Sequence, residues 1–170
     1  MRTVSSLRGL DLKTATLFRK FCSCCVSITI PIPNAPQLQD ARVVSLGGNA
    51  AANSLRAHGF SFDQLNILNE YGLVIADYNS YYDYRMTVVK NGSVVMPMHY
   101  QSQKWALIPD QPETDQSPVY SKELRLNGVA LSRVGRELLP IVDIDPVDLY
   151  TKALEDFFKT QKFTLTRITG

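Results

Sequence analysis

The stretch Ser61–Tyr78 constrains the fold of this chain more than any other. Ser61 followed three residues later by Gln64 is a capping box. The serine hydroxyl takes one free amide of the first helical turn while the glutamine reaches back to the cap's own amide. Leu65, Ile67, Leu68 and Tyr71 then supply an apolar side. Gly72 is the expected stop, because the residue just past a helix end commonly adopts a left-handed conformation that glycine enters without strain. Leu73 to Ala76 runs on directly as a strand.

The flanking sequence supplies further helices and strands. Asp11 caps a helix in which Leu17, Phe18, Phe21, Cys22, Cys25 and Val26 recur at intervals of three and four, one buried stripe. A short helical piece from Arg2 to Leu10 is expected before it. Ser27 to Pro33 and Ala41 to Leu46 read as strands, with loop chemistry at Asn34 to Asp40 between them. Asn49 to His58 is helix-permissive and ends at Gly59. Asn91-Gly92 between two strand-like runs is a hairpin signal, since both turn residues need positive φ. Lys104 to Ile108 is a further strand, and Asn127-Gly128 predicts a second tight turn. Ser132 caps a helix from Arg133 to about Val142, bent late by Pro140. Asp145 with Pro146 starts the last helix, which carries Val147, Tyr150, Leu154, Phe157 and Phe158 on one face. Lys162 to Ile168 closes as an alternating strand.

The expected architecture is α+β in a single domain spanning 1–170. It comprises N-terminal helices at 1–30, a winged helix-turn-helix-like core with a long antiparallel β wing at 41–142, and a C-terminal helix and strand at 145–170. Its 170 residues, 45% hydrophobic, are enough for a substantial core. Cys22, Cys24 and Cys25 are odd in number and clustered, which argues against a disulfide framework and for a reducing, cytoplasmic setting. The most apolar stretch, Phe21 to Ile32, is too short and too interrupted to span a bilayer.

Three segments together resemble an uncharacterised bacterial family, a domain of unknown function. They are Arg2-Thr3-Val4 leading into Ala15-x-Leu17-Phe18, the capped helix running into Tyr71-Gly72-Leu73-Val74, and Leu131-Ser-Arg-Val-Gly135-Arg-Glu-Leu138. The resemblance implies a winged-helix-like core and no activity. It also implies that longer members carry helical sequence upstream, so that this chain corresponds to their C-terminal part. Here Ser132 stands where the family pattern has threonine, which keeps the capping chemistry.

Function is read from what the elements display. A winged helix that reads DNA lays its second helix in the major groove and needs cations there. This one offers Asp63, Gln64, Asn66, Asn69 and Glu70, with no lysine or arginine. The DNA-binding alternative therefore rests on Gln64 and Asn66, which can pair with adenine edges, and on Arg19, Lys20 and Arg85 as phosphate contacts. Net charge is only +2, although residues 1–30 hold five cations against the single carboxylate of Asp11. The cluster Tyr78, Tyr81, Tyr82, Tyr84 and Arg85 is the most unusual composition in the chain. Tyrosine and arginine are what adaptable protein-binding surfaces use, since a tyrosine covers much area at little entropic cost. In extended register Tyr82 and Tyr84 share one face, while Tyr81, Asp83 and Arg85 share the other.

His58 and His99 sit in no motif, and no nucleophile–base pair is visible. Cys-x-Cys-Cys within a helix cannot aim three thiolates at one metal. No catalytic residue, cofactor or metal is expected. The leading expectation is a non-catalytic interaction or regulatory module of a bacterial cytoplasmic protein. It would bind a protein partner, or a missing N-terminal segment of its own protein, through Tyr78, Tyr81, Tyr82 and Arg85.

Overall fold

A computed structural model describes residues 9–30, 37–48, 53–84, 88–90, 93–110 and 124–169. Among them are four α-helices and a nine-stranded antiparallel sheet, an α+β architecture. Helix α1 is Leu12–Cys24, opened by Asp11, whose carboxylate accepts the Thr14 N–H at 2.6 Å. It ends two residues earlier than its apolar stripe predicts. Cys25 turns extended, and Val26 begins strand β1, Val26–Ile30. Strand β2, Gln37–Val44, pairs with β1 and includes residues 37–40, where a loop is expected. The run is polar because Asp40 and Arg42 answer each other inside the sheet rather than facing water. A bulge between Ile28 and Thr29 absorbs the register change.

In the helix-permissive stretch before Gly59, Ser54–His58 forms a 3₁₀ helix, and residues 49–52 lie outside the described residues. Helix α2, Phe62–Glu70, starts where the capping box places it. Gln64 N–H donates to Ser61 Oγ at 3.2 Å, and Ser61 N–H donates to Gln64 Oε1 at 2.9 Å. Gly72 has φ +71° and releases the chain into β3, Val74–Ile75. Strand β4 is Tyr81–Asp83, β5 is Val88–Lys90, β6 is Ser93–Tyr100 and β7 is Gln103–Pro109. Lys90 faces Ser93, the register of a two-residue hairpin. Asn91 and Gly92 themselves lie outside the described residues, as do residues 1–8 and 31–36.

Strand β8, Arg125–Leu131, overturns the expected turn at Asn127-Gly128. The glycine serves close packing instead: a Cβ at Gly128 would lie 2.0 Å from the Val43 carbonyl oxygen of the neighbouring strand. Ser132 caps α3, Arg133–Leu138, accepting the Gly135 N–H at 3.1 Å. A 3₁₀ turn at Leu139–Ile141 contains Pro140. Helix α4, Asp148–Thr160, begins after Val147, so Asp145 is not its cap. Asp145 pairs with Arg19 of α1 at 2.6 Å, and its N–H donates to Ser23 Oγ, which holds this segment against α1. Strand β9, Phe163–Arg167, closes the described chain on β7.

The sheet runs β3-β8-β2-β1-β6-β7-β9, with β4 also on β8 and β5 also on β6. Residues 40–45 of β2 and its end are all buried, so both faces of the sheet are covered there. Tyr150 of α4 donates to the Val44 carbonyl at 3.0 Å, and Tyr100 of β6 lies 2.7 Å from the Thr151 hydroxyl. These bonds anchor α4 at the middle of the sheet. Cys22, Cys24 and Cys25 are free and buried in the core. Burial pushes the thiols of Cys22 and Cys24 up to about 12, which keeps them protonated and inert at neutral pH. Among the described residues no helix is long and apolar enough to cross a membrane, and no three His, Cys, Asp or Glu side chains gather as a metal site.

Candidate interaction surface

Strand pairing decides which side chains the tyrosine segment shows. Tyr81 faces Asn127, Tyr82 faces Leu126 and Asp83 faces Arg125. The alternation of side chains then sorts two sets. Tyr82, Tyr84 and Leu126 point inward. Tyr81, Asp83, Arg125 and Asn127 point outward. Two serine bonds hold the approach to β4 against β8: Ser80 Oγ donates to the Gly128 carbonyl at 2.8 Å, and Gly128 N–H donates to the Ser80 carbonyl at 3.0 Å.

The inner set is committed to the core. Tyr84 is 1% exposed and donates to Asp40 Oδ2 at 2.7 Å. Asp40 in turn takes both Nε and Nη2 of Arg42, at 2.7 and 2.8 Å. Arg42 Nη1 reaches the Leu126 carbonyl of β8 at 3.1 Å. This buried chain spans β2, β8 and the end of the tyrosine segment. Burial raises the Tyr84 phenol well above its ordinary range, and the neighbouring Asp40 charge adds to that. For Arg42, burial works against the charge, but the bond and charge of Asp40 outweigh it and the net shift is upward. The ring of Tyr82 meets that of Tyr84 edge-on at 5.8 Å and is half-buried.

Tyr78 is likewise taken into the interior. It is 6% exposed, and its hydroxyl accepts the Leu55 N–H at 3.2 Å and contacts Ser54 Oγ at the same distance. It braces the 3₁₀ turn and offers a partner no ring surface.

Three of the four outer side chains, Tyr81, Arg125 and Asn127, are exposed, and Asp83 is half-buried. Tyr81 is 47% exposed, and the Arg125 guanidinium lies over its ring at 4.4 Å from the centroid. Arg125 and Asn127 are both exposed, as is Asn79, whose carbonyl accepts the Asn127 amide at 3.4 Å. Asp83 Oδ1 accepts the Leu124 N–H at 3.0 Å, which stiffens the junction of β4 and β8. Among the described residues β4 has a strand partner on one side only. Arg85 lies outside the described residues. Arg125 and Asn127 are the members that sequence reasoning missed. They lie more than forty positions downstream, and only the β4–β8 register brings them beside Tyr81.

The residues of the DNA alternative are dispersed and partly engaged. Gln64 is held by the capping box, and Arg19 by Asp145. Lys20 lies 5.7 Å over the Phe60 ring. Asn66 is exposed on α2 beside Asp63, Asn69 and Glu70. The structure brings none of these together with Tyr81. No protein-family model, curated protein or solved structure matches the chain.

Proposed function

We propose that the protein is a non-catalytic interaction module that engages a protein partner through the outward face of β4 and β8. The observation that carries this reading is the exposed Tyr81 ring beneath the Arg125 guanidinium, on a strand that among the described residues is paired along one edge only. An aromatic ring and a guanidinium already stacked lose little freedom on binding, and tyrosine and arginine are enriched at the energetic centres of protein interfaces. An open strand edge adds backbone groups that a partner strand can pair with. The reading as a cytoplasmic bacterial module rests on the unbridged, buried thiols and on the family resemblance.

The winged-helix description belongs to the same proposal. It is supported by the sequence of elements α1, β2, 3₁₀ turn, α2, β3 and β8, with β8 lying between β2 and β3. The turn and α2 are joined through Gly59, Phe60 and Ser61, a spacing suited to a helix-turn-helix. In this description residues 77–121 are the elaborated wing, and β4 is part of it. The exposed side of α2 carries Asp63 and Glu70 and no cation, which suits a protein neighbour better than a phosphate backbone.

The test uses the full chain and a Tyr81→Ala/Arg125→Ala double variant as paired baits. Proteins retained by the wild type and lost by the variant are identified, then titrated as purified species. The proposal expects at least one partner whose affinity falls about tenfold or more in the variant. Equal recovery by both baits would remove β4 from the binding surface. Tight, steeply salt-dependent binding of duplex DNA, lost in Asn66→Ala, would favour the DNA-binding alternative instead.

A further inference from the structure

A second surface gathers positive charge from separate parts of the chain. A cleft of about 440 Å³ opens between α1, the 3₁₀ turn and the first turn of α4. Lys20 enters it from α1, and Arg56 and His58 from the 3₁₀ turn. Asp148, Leu149 and Tyr150 line it from α4. That volume is within the range of small-ligand sites. No ion pair among the described residues involves Lys20, Arg56 or Asp148. The two permanent cations therefore remain available, against one carboxylate on the opposite wall.

Lys20 is placed at this cleft by specific packing. A Cβ at Gly59 would lie 2.1 Å from the Lys20 Nζ, so the ammonium occupies the space a side chain would fill. Gly59 also has φ +88°, a conformation strained for any L side chain. The face of Phe60 meets the same ammonium. His58 is held edge-on to Tyr150, with ring centroids 5.2 Å apart. On the facing wall α4 starts with no side chain capping its amides. Those amides and the positive end of a 13-residue helix add to the field of the cations.

We propose that this cleft binds a phosphate monoester, its phosphate seated between Lys20 and Arg56 with His58 as a third, pH-dependent donor. Arginine offers a planar pair of donors to phosphate oxygens, and lysine a mobile point charge. The exposed Leu149 gives the remainder of the ligand an apolar wall, and Asp148 accepts a hydroxyl from it. His58 is held neutral by its burial and by the nearby Lys20 charge, with Arg56, Asp148, Tyr150 and Cys24 also facing the cleft. A bound dianion reverses that balance and favours the imidazolium, so phosphate binding raises the His58 pKa.

The experiment follows the His58 ring resonances of the full chain by NMR as inorganic phosphate is added at fixed ionic strength. The proposal expects a saturable shift, an upward move of the His58 pKa, and at least about tenfold weaker binding in Lys20→Ala/Arg56→Ala. Both replaced residues are exposed, and an unchanged melting temperature would show that the fold is intact. Asp148→Asn, which removes the opposing charge, is expected to tighten phosphate binding. Glycerol 3-phosphate and a phosphoserine peptide, titrated in parallel, distinguish a small metabolite from a modified partner by which binds more tightly. The proposal is overturned if no saturable shift occurs, if the double variant retains it, or if chloride reproduces it. Binding of duplex DNA through Lys20 and Arg56, with phosphate monoesters unable to compete, would also overturn it. Because Tyr81 and Arg125 are untouched in these variants, failure here leaves the partner-binding surface separately testable.

Discussion

On the inner side of the β4 segment Tyr84 is 1% exposed and bonded to a buried carboxylate, whereas on the outer side Tyr81 is 47% exposed beneath an arginine. The two differ by three positions in the chain and by no chemistry. What separates them is the alternation of a strand and the strand it pairs with. Both rings have a cationic side chain within their network, yet the settings have opposite consequences. Arg42 is 4% exposed and cannot be left without Asp40, while Arg125 is exposed. The inner group therefore specifies how the strands are registered, and the outer ring and guanidinium are left at the surface.

The largest expected effect comes from breaking the inner group. Asp40→Ala leaves the Arg42 guanidinium buried without its carboxylate, at a cost of about 3–5 kcal/mol. Chemical denaturation should show a midpoint far below that of the wild type. A loss of less than about 1 kcal/mol would mean that water reaches Arg42 and that the comparison is misdrawn.

Tyr84→Phe is gentler, because it removes only the hydroxyl and its bond to a charged oxygen, about 1.5–3 kcal/mol. The same variant has a pH signature. The folded-state pKa of Tyr84 lies above its unfolded value, so the unfolded chain ionises first. The stability it contributes is fully present below pH 10.0 and is lost as pH rises above that value toward the folded pKa. Tyr150 and Cys25 are raised in the same direction, chiefly by burial, so the wild type falls steeply in alkali. Tyr84→Phe should fall less steeply between pH 9 and 11, which parallel denaturation curves would read (pH limits about one unit either side of the ordinary tyrosine value).

The smallest effect on stability belongs to the outer group. Tyr81→Ala is expected to cost no more than about 1 kcal/mol, the scale of an exposed cation–π contact. A melting temperature within a few degrees of wild type, with partner recovery reduced, would keep the two faces distinct. A collapse of the fold would assign Tyr81 to the core as well.

Local signals carried much of the fold. The capping box at Ser61, the stop at Gly72, the cap at Ser132 and the buried face of the last helix are written within a few residues of where they act. The elements that depart from their local composition share a cause. Asn127-Gly128 has the composition of a turn, but its glycine answers the close approach of Val43, a contact from far along the chain. Residues 37–40 look like a loop because the partners that bury Asp40 are Arg42 and the distant Tyr84. Asp145 resembles a cap, yet an arginine on another helix claims it. The tyrosines were conspicuous as composition and their alternation was readable. That Arg125 completes the outer surface, and that Lys20, Arg56 and His58 converge, depends on pairings no local window contains.

The position of β8 has a consequence for how the chain is made. This strand holds β2 on one side and β3 and β4 on the other, and it is synthesised after all of them. As the protein leaves the ribosome, β2 and β3 emerge with edges that their eventual neighbour cannot yet close. Contacts so distant in sequence form slowly, and open edges invite pairing with other chains in the interval. Stalling translation before Arg125 would therefore leave a nascent chain that needs a chaperone, and synthesis through Leu131 would close the edges of β2 and β3.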